Sequence, residues 1–200
     1  GSLLAFAEAR KYNLSDPGGK GQEIDLVLKR LLEKGGLWIG WNGQAAERIP
    51  GSRKICISDE CSSNSYSVKC VHLTKKEIRD YYHGFSNRSI WPLFHGFIFQ
   101  SHFKLDYWKA YKSVNRKFSG SILEEITRDE LIWVHDYHLA LLPRMLRKAR
   151  PKLKVMFFLH TPFPNFEIFR VLPWNQEILK GLLGCNLIGF QTRGDKINFL

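Results

Sequence analysis

The sequence predicts an α/β fold, a doubly wound and mostly parallel sheet covered by helices. Three observations carry this. Leu131–Val134 and Val155–Leu159 are short, uninterrupted apolar runs, as strands buried on both faces are. Between them Leu139, Leu141, Leu142, Met145 and Leu146 recur at helical spacing. Arg147, Lys148 and Arg150 close that helix, where cations suit its dipole, and Pro151 stops it. Finally, strand-like and helix-like stretches alternate along the chain, the order of βαβ units.

The 200 residues suit one domain, or one lobe of something larger, with room for a sizeable core. No signal-peptide pattern, bilayer-spanning apolar run, repeat or low-complexity tract is present. Gly1-Ser2 reads as a cloning remnant. The formal charge of +11 favours anionic ligands. The basic residues are dispersed, so phosphorylated small molecules or an acidic partner lobe suit this charge better than nucleic acid. Neither a nucleic-acid nor a membrane partner is expected. Cys56, Cys61 and Cys70 lie near His72, but their spacing matches none of the usual paired zinc patterns. Reduced thiols in a cytoplasmic protein are the expectation.

In order, Leu3–Phe6 reads as a short first strand, followed by a polar stretch ending in Asp16-Pro17-Gly18-Gly19-Lys20-Gly21. A helix follows with Ile24, Val27, Leu28, Leu31 and Leu32 on one face. Such a Gly-rich turn can cradle a phosphate, yet it matches neither usual nucleotide fingerprint, and an ordinary loop fits as well. Gly35-Gly36 caps the helix, Leu37–Trp41 is the next strand, and Asn42-Gly43 turns the chain. Lys54–Ser58 and Ser67–Leu73 read as strands around a loop at Asp59–Ser65. Thr74 and Glu77 form a capping box for a helix over Lys75–Tyr82.

The aromatics of Tyr81–His95 suggest either a cleft wall or core packing of Tyr82 and Trp91. Leu105–Phe118 is amphipathic, with Trp108, Tyr111, Val114 and Phe118 inward. Glu124, Glu125, Asp129 and Glu130 read as a solvated face. Pro162 and Pro164 force an extended turn before a helix near Glu167–Leu172. Asn175–Leu183 reads as a helix, Cys185–Phe190 as the last strand, and Thr192 as the cap of a final helix.

The polar clusters stand at strand ends: His135-Asp136-Tyr137-His138 after one strand and His160 after its neighbour. In open α/β sheets that is where ligands bind. Asp136 there can bind sugar hydroxyls or act as a base. No activated Ser or Cys nucleophile is recognisable, and the histidines lack a metal-binding helix motif. No metal and no cofactor are expected.

Several strings together resemble the trehalose-6-phosphate synthases: Gly35–Gly43, Tyr81–His95, Trp133–Leu139, Phe157–Pro164 and Gly189–Thr192. The helix with Trp108, Tyr111, Val114, Asn115 and Phe118 fits too, and the resemblance covers residues 21–200. It implies a Rossmann-like sheet forming the N-terminal, acceptor-binding lobe of a GT-B glycosyltransferase, with residues 1–20 an atypical segment and the C-terminal lobe missing. The implied reaction is transfer of glucose from UDP-glucose to glucose 6-phosphate with retention, no metal and no protein nucleophile. By resemblance Tyr82 and Trp91 bind the acceptor, Tyr82 reaching its phosphate, while Trp41 lines the cleft. Asp136 holds the acceptor hydroxyls, and His160 lies against the donor sugar near the reacting centre.

The sequence departs from the family in two ways. No Asn-Arg pair precedes Gly21, and the donor-diphosphate loop reads Gly21-Gln22-Glu23, with Gly18-Gly19 the alternative in a shifted register. The cations that hold UDP-glucose belong to the C-terminal lobe, so the lobe alone is expected to be inactive. Rivals are a sister enzyme with another phosphorylated acceptor, such as glycerol 3-phosphate, and a non-catalytic regulatory or assembly subunit. A homo-oligomer or a synthase complex remains open.

Overall fold

The computed structural model describes residues 4–8, 36–46, 54–58, 65–127 and 130–200. One sheet is built from β1 (Leu4–Glu8), β2 (Gly36–Gly40), β3 (Lys54–Ser58), β4 (Ser65–Cys70), β5 (Leu131–His135), β6 (Lys154–Leu159) and β7 (Leu187–Phe190). The spatial order is β3-β4-β2-β1-β5-β6-β7. β3 runs antiparallel to β4 at one edge, and every other pair is parallel. β1 has β2 on one side and β5 on the other, so the winding reverses there. A ligand crevice is therefore expected at the carboxyl ends of β1 and β5.

The helices are α1 (Lys75–Glu77), α2 (Trp91–Phe94), α3 (Leu105–Leu123), α4 (Leu142–Ala149), α5 (Phe166–Phe169), α6 (Asn175–Leu182) and α7 (Arg193–Phe199). α1 runs through a π-wound stretch, Ile78–Ile90, directly into α2. Its end shows the wider winding, the Trp91 N–H donating to the Ser86 carbonyl five residues back. The capping box at Thr74 and Glu77 forms as the sequence predicts. The helix does not stop near Tyr82, however. Gly84, Ser86 and Asn87 read as turn formers, but Tyr81, Phe85, Ile90, Leu93 and Phe94 all enter the core and packing overrides local preference. Gly84 is needed for contact, because a Cβ there would lie 2.7 Å from the Tyr107 ring.

α3 buries Trp108, Tyr111, Val114 and Phe118 as expected and extends to Leu123, adding Ile122. In β6 Val155, Phe157 and Leu159 are buried while Met156 and Phe158 are half-buried. The strand is thus sealed on one face and partly covered on the other, less than the uninterrupted apolar run implies. The β5 and β6 pairing, Leu131 to Lys154 through His135 to Phe158, is the parallel crossover read from the sequence. The helix of Ile24 to Leu32, the Gly21 loop and Cys61 lie outside the described residues.

The acidic run ahead of β5 is not simply a solvated face. Lys69 on β4 is 1% exposed, and its Nζ donates to Glu124 Oε2 at 2.7 Å, Glu125 Oε1 at 2.9 Å and the Ser121 carbonyl at 3.1 Å. Glu130 is buried and accepts from the Thr127 N–H and Oγ1. Burial pulls the Lys69 pKa down, but Glu124 and Glu125 outweigh it and hold the ammonium above its ordinary value of 10.5. A raised cation contributes stability in full below the unfolded value and loses it as pH rises through the folded one. Lys69→Met is expected to cost about 1–3 kcal/mol at neutral pH, since exposed Glu124 rehydrates. Urea unfolding should show that deficit shrinking above pH 10.5; a deficit unchanged there would mean lost packing rather than the ion pair.

Candidate functional site

Three parallel strands deliver side chains to one edge of the sheet. Trp41 follows β2, Asp136 follows β5 and His160 follows β6. Trp41 is buried and its Nε1 donates to the Gln44 carbonyl at 2.8 Å. Tyr82, from the π-wound stretch, meets the Trp41 ring edge-on at 5.1 Å and stacks on His138 at 5.6 Å. Trp41, Tyr82 and the His135–His138 cluster therefore share one locality, although 97 residues separate Trp41 from His138 in the numbering.

Asp136 is the strained point of the site. Its φ of 64° with ψ of 166° is a conformation essentially reserved for glycine, and it is the one such non-glycine among the described residues. Hydrogen bonds from its backbone and side chain hold it there. Its N–H donates to the Phe158 carbonyl at 2.8 Å, its Oδ1 accepts from the His160 N–H at 3.2 Å, and its carbonyl accepts from the Leu139 N–H at 3.1 Å. The carboxylate is 1% exposed at residue level and ties the ends of β5 and β6 together. Its Oδ2 lies 3.9 Å from His138 Nδ1. His135 Nδ1 and His160 Nε2 are 2.6 Å apart, so one imidazole donates to the other and their tautomers are coupled.

Behind this turn stands a layer that the sequence reading treated as structural only. Tyr111 Oη donates to the Tyr137 carbonyl at 2.6 Å and accepts from the Ala140 N–H at 3.0 Å. Asn115 donates to the His138 carbonyl at 3.2 Å and accepts from the Leu141 N–H at 3.3 Å. Tyr81 Oη donates to the same His138 carbonyl at 3.2 Å. Burial raises the Tyr81 and Tyr111 pKa values far above the usual phenol range, so both stay protonated donors. The sequence signal was present: Asn115 lies four residues after Tyr111, on the apolar stripe of α3, where a polar side chain needs a partner.

The proline turn after His160 is braced from α7. Asp195 accepts from the Phe163 N–H at 3.0 Å while closing a capping box with Thr192, and Asn198 donates to the Phe163 carbonyl at 2.8 Å. Trp91 is placed differently from Tyr82. It is 40% exposed and its ring neighbours are His95 at 4.2 Å and Phe97 at 6.3 Å. The structure thus brings together Trp41, Tyr82, Asp136 and His160, leaves Trp91 partly exposed beside His95 and Phe97, and does not describe Gly21.

Among the described residues no three His, Cys, Asp or Glu side chains converge as a metal site requires. Burial raises both described thiols, Cys185 to about 11 and Cys70 in the same direction, so neither is an activated nucleophile. The arrangement suits polyol recognition: a carboxylate for hydroxyls, aromatic rings for apolar sugar faces, and imidazoles at the neighbouring strand end.

The profile of glycosyltransferase family 20 matches residues 6–200. A trehalose-6-phosphate synthase of Mycobacterium avium (strain 104) is 39% identical over 184 residues, covering 92% of this chain and 36% of that protein. A solved structure described as trehalose-6-phosphate from E. coli bound with UDP-2-fluoro glucose aligns with a TM-score of 0.86 at 32% identity. It covers 99% of this chain and 42% of its own. The alpha,alpha-trehalose-phosphate synthase (UDP-forming) from Burkholderia xenovorans in complex with glucose-6-phosphate aligns with a TM-score of 0.79 at 27% identity, covering 100% and 42%.

Proposed function

The chain belongs to glycosyltransferase family 20, and on that premise we propose that residues 21–200 form the N-terminal, acceptor-binding lobe of a trehalose-6-phosphate synthase. The reaction is glucose transfer from UDP-glucose to glucose 6-phosphate. Asp136 receives the acceptor hydroxyls, Tyr82 reaches the phosphate, Trp41 covers an apolar sugar face, and His160 faces the donor glucose. Trp91 completes the acceptor end, and Gly21 stands at the donor diphosphate. Excluding water favours transfer over hydrolysis. The donor's diphosphate needs cations supplied by the rest of a longer protein, so this lobe alone binds the acceptor without turning it over. The working location is the cytoplasm; among the described residues no helix is long and apolar enough to cross a membrane.

One observation carries the reading. Strained Asp136, His160 and the Trp41–Tyr82 pair meet at the carboxyl ends of strands flanking the reversal in winding. The test is an NMR titration of the chain with glucose 6-phosphate, glycerol 3-phosphate and UDP-glucose in parallel. Glucose 6-phosphate is expected to bind selectively, and Tyr82→Phe to weaken it roughly 10-fold by removing one hydrogen bond to phosphate. Preference for glycerol 3-phosphate would move the chain to the sister activity. A folded chain that binds none of the three would favour a regulatory role.

A further inference from the structure

A cavity of about 290 Å³ opens between α3, α4 and α6. Lys112, Arg144, Lys148 and Lys180 line it against a single carboxylate, Glu177. Its apolar floor is Trp108, Leu141 and Met145. Among the described residues none of the four cations is in an ion pair.

Helix stability accounts for only part of this charge. Lys148 and Lys180 sit in the last turns of α4 and α6, where the dipole favours a cation. Arg144 is the third residue of α4, in a first turn with no acidic residue, where the dipole opposes a cation. Lys112 Nζ lies 5.3 Å over the Trp108 ring, folded across the cavity wall. Close backbone contact sets the spacing of the walls. A Cβ on Gly181 would lie 2.3 Å from the Ala140 carbonyl oxygen, so α6 rests directly on the chain leading into α4.

We propose that this cavity is a second ligand site, selective for a small phosphorylated molecule carrying at least two negative charges. The volume is near the lower limit of small-molecule pockets, which suits a metabolite. The cations take its phosphate oxygens and the floor takes its carbon skeleton. The site backs onto the acceptor turn without sharing a side chain with it. Trp108 stacks on Tyr111 at 5.8 Å, and Tyr111 holds Tyr137 and Ala140.

Inorganic pyrophosphate is the probe, titrated into the chain by calorimetry and by NMR of the Trp108 indole and Gly181 amide signals. Binding is expected, with both signals shifting. The double variant Arg144→Gln/Lys180→Gln should weaken it at least roughly 10-fold, the loss of charge-assisted contacts. Glu177→Gln should tighten it, a gain that misfolding cannot mimic. Tyr82→Phe should leave it unchanged, which separates this site from the acceptor crevice whether or not the acceptor assignment holds. Unchanged affinity in the double variant, no response to Glu177→Gln, or pyrophosphate shifts confined to Tyr82 and Asp136 would each overturn the proposal.

Discussion

Asp136→Ala is expected to weaken glucose 6-phosphate binding by about two orders of magnitude, the loss of charge-assisted hydrogen bonds to two hydroxyls. The substitution also removes the acceptor of the His160 N–H, so β6 loses its tie to β5 at the crevice. Stability supplies the sharper test. Alanine inherits the φ of 64° and its strain, whereas glycine adopts it freely. Asp136→Gly should therefore be about 1–2 kcal/mol more stable than Asp136→Ala while binding the acceptor no better. Equal stability in urea unfolding would show that the turn relaxes when the carboxylate is lost. Retained affinity in either variant would remove Asp136 from the acceptor site.

Tyr111→Phe should destabilise the chain by about 2–4 kcal/mol although it deletes a single oxygen. That oxygen serves the Tyr137 carbonyl and the Ala140 N–H, both on the turn that begins at Asp136. Phenylalanine keeps the packing against Phe85, whose ring lies 4.4 Å away, and takes a hydrogen-bond partner from each of two backbone groups on the turn. The acceptor site should suffer with the fold: affinity for glucose 6-phosphate is expected to fall several-fold in protein that is still fully folded at low temperature. Calorimetry on the folded variant separates the two effects. A stable variant with unchanged affinity would mean that water replaces the hydroxyl and that the turn does not depend on α3.

Much of the fold was legible because its signals are local. The β5–α4–β6 crossover announces itself through two apolar runs and a helical stripe between them, the Thr74 capping box through residues three apart, and the last helix through its Thr192 cap. The long helix through Gly84 and Asn87 was not legible past Tyr82. Its continuation depends on Tyr107 approaching Gly84 and on five side chains entering a core assembled from distant segments. For the same reason Lys69 could not be linked to Glu124 and Glu125, more than 50 positions away.

By itself the sequence determined the alternation of elements, the sheet's parallel character, the family, and Asp136 and His160 as residues at strand ends. These follow from apolar periodicity, turn chemistry and motifs, all of which are written over a few consecutive residues. The tertiary structure alone decided that Asp136 is strained, that the His135 and His160 imidazoles are hydrogen-bonded, and that Tyr111 and Asn115 hold the Asp136 turn from behind. It also stacked Trp91 on His95 and gathered four cations around one cavity. The physical reason is that strain, buried hydrogen bonding and charge convergence are properties of groups brought together across the chain, and their energies depend on distances that exist only once the sheet and its helices have packed.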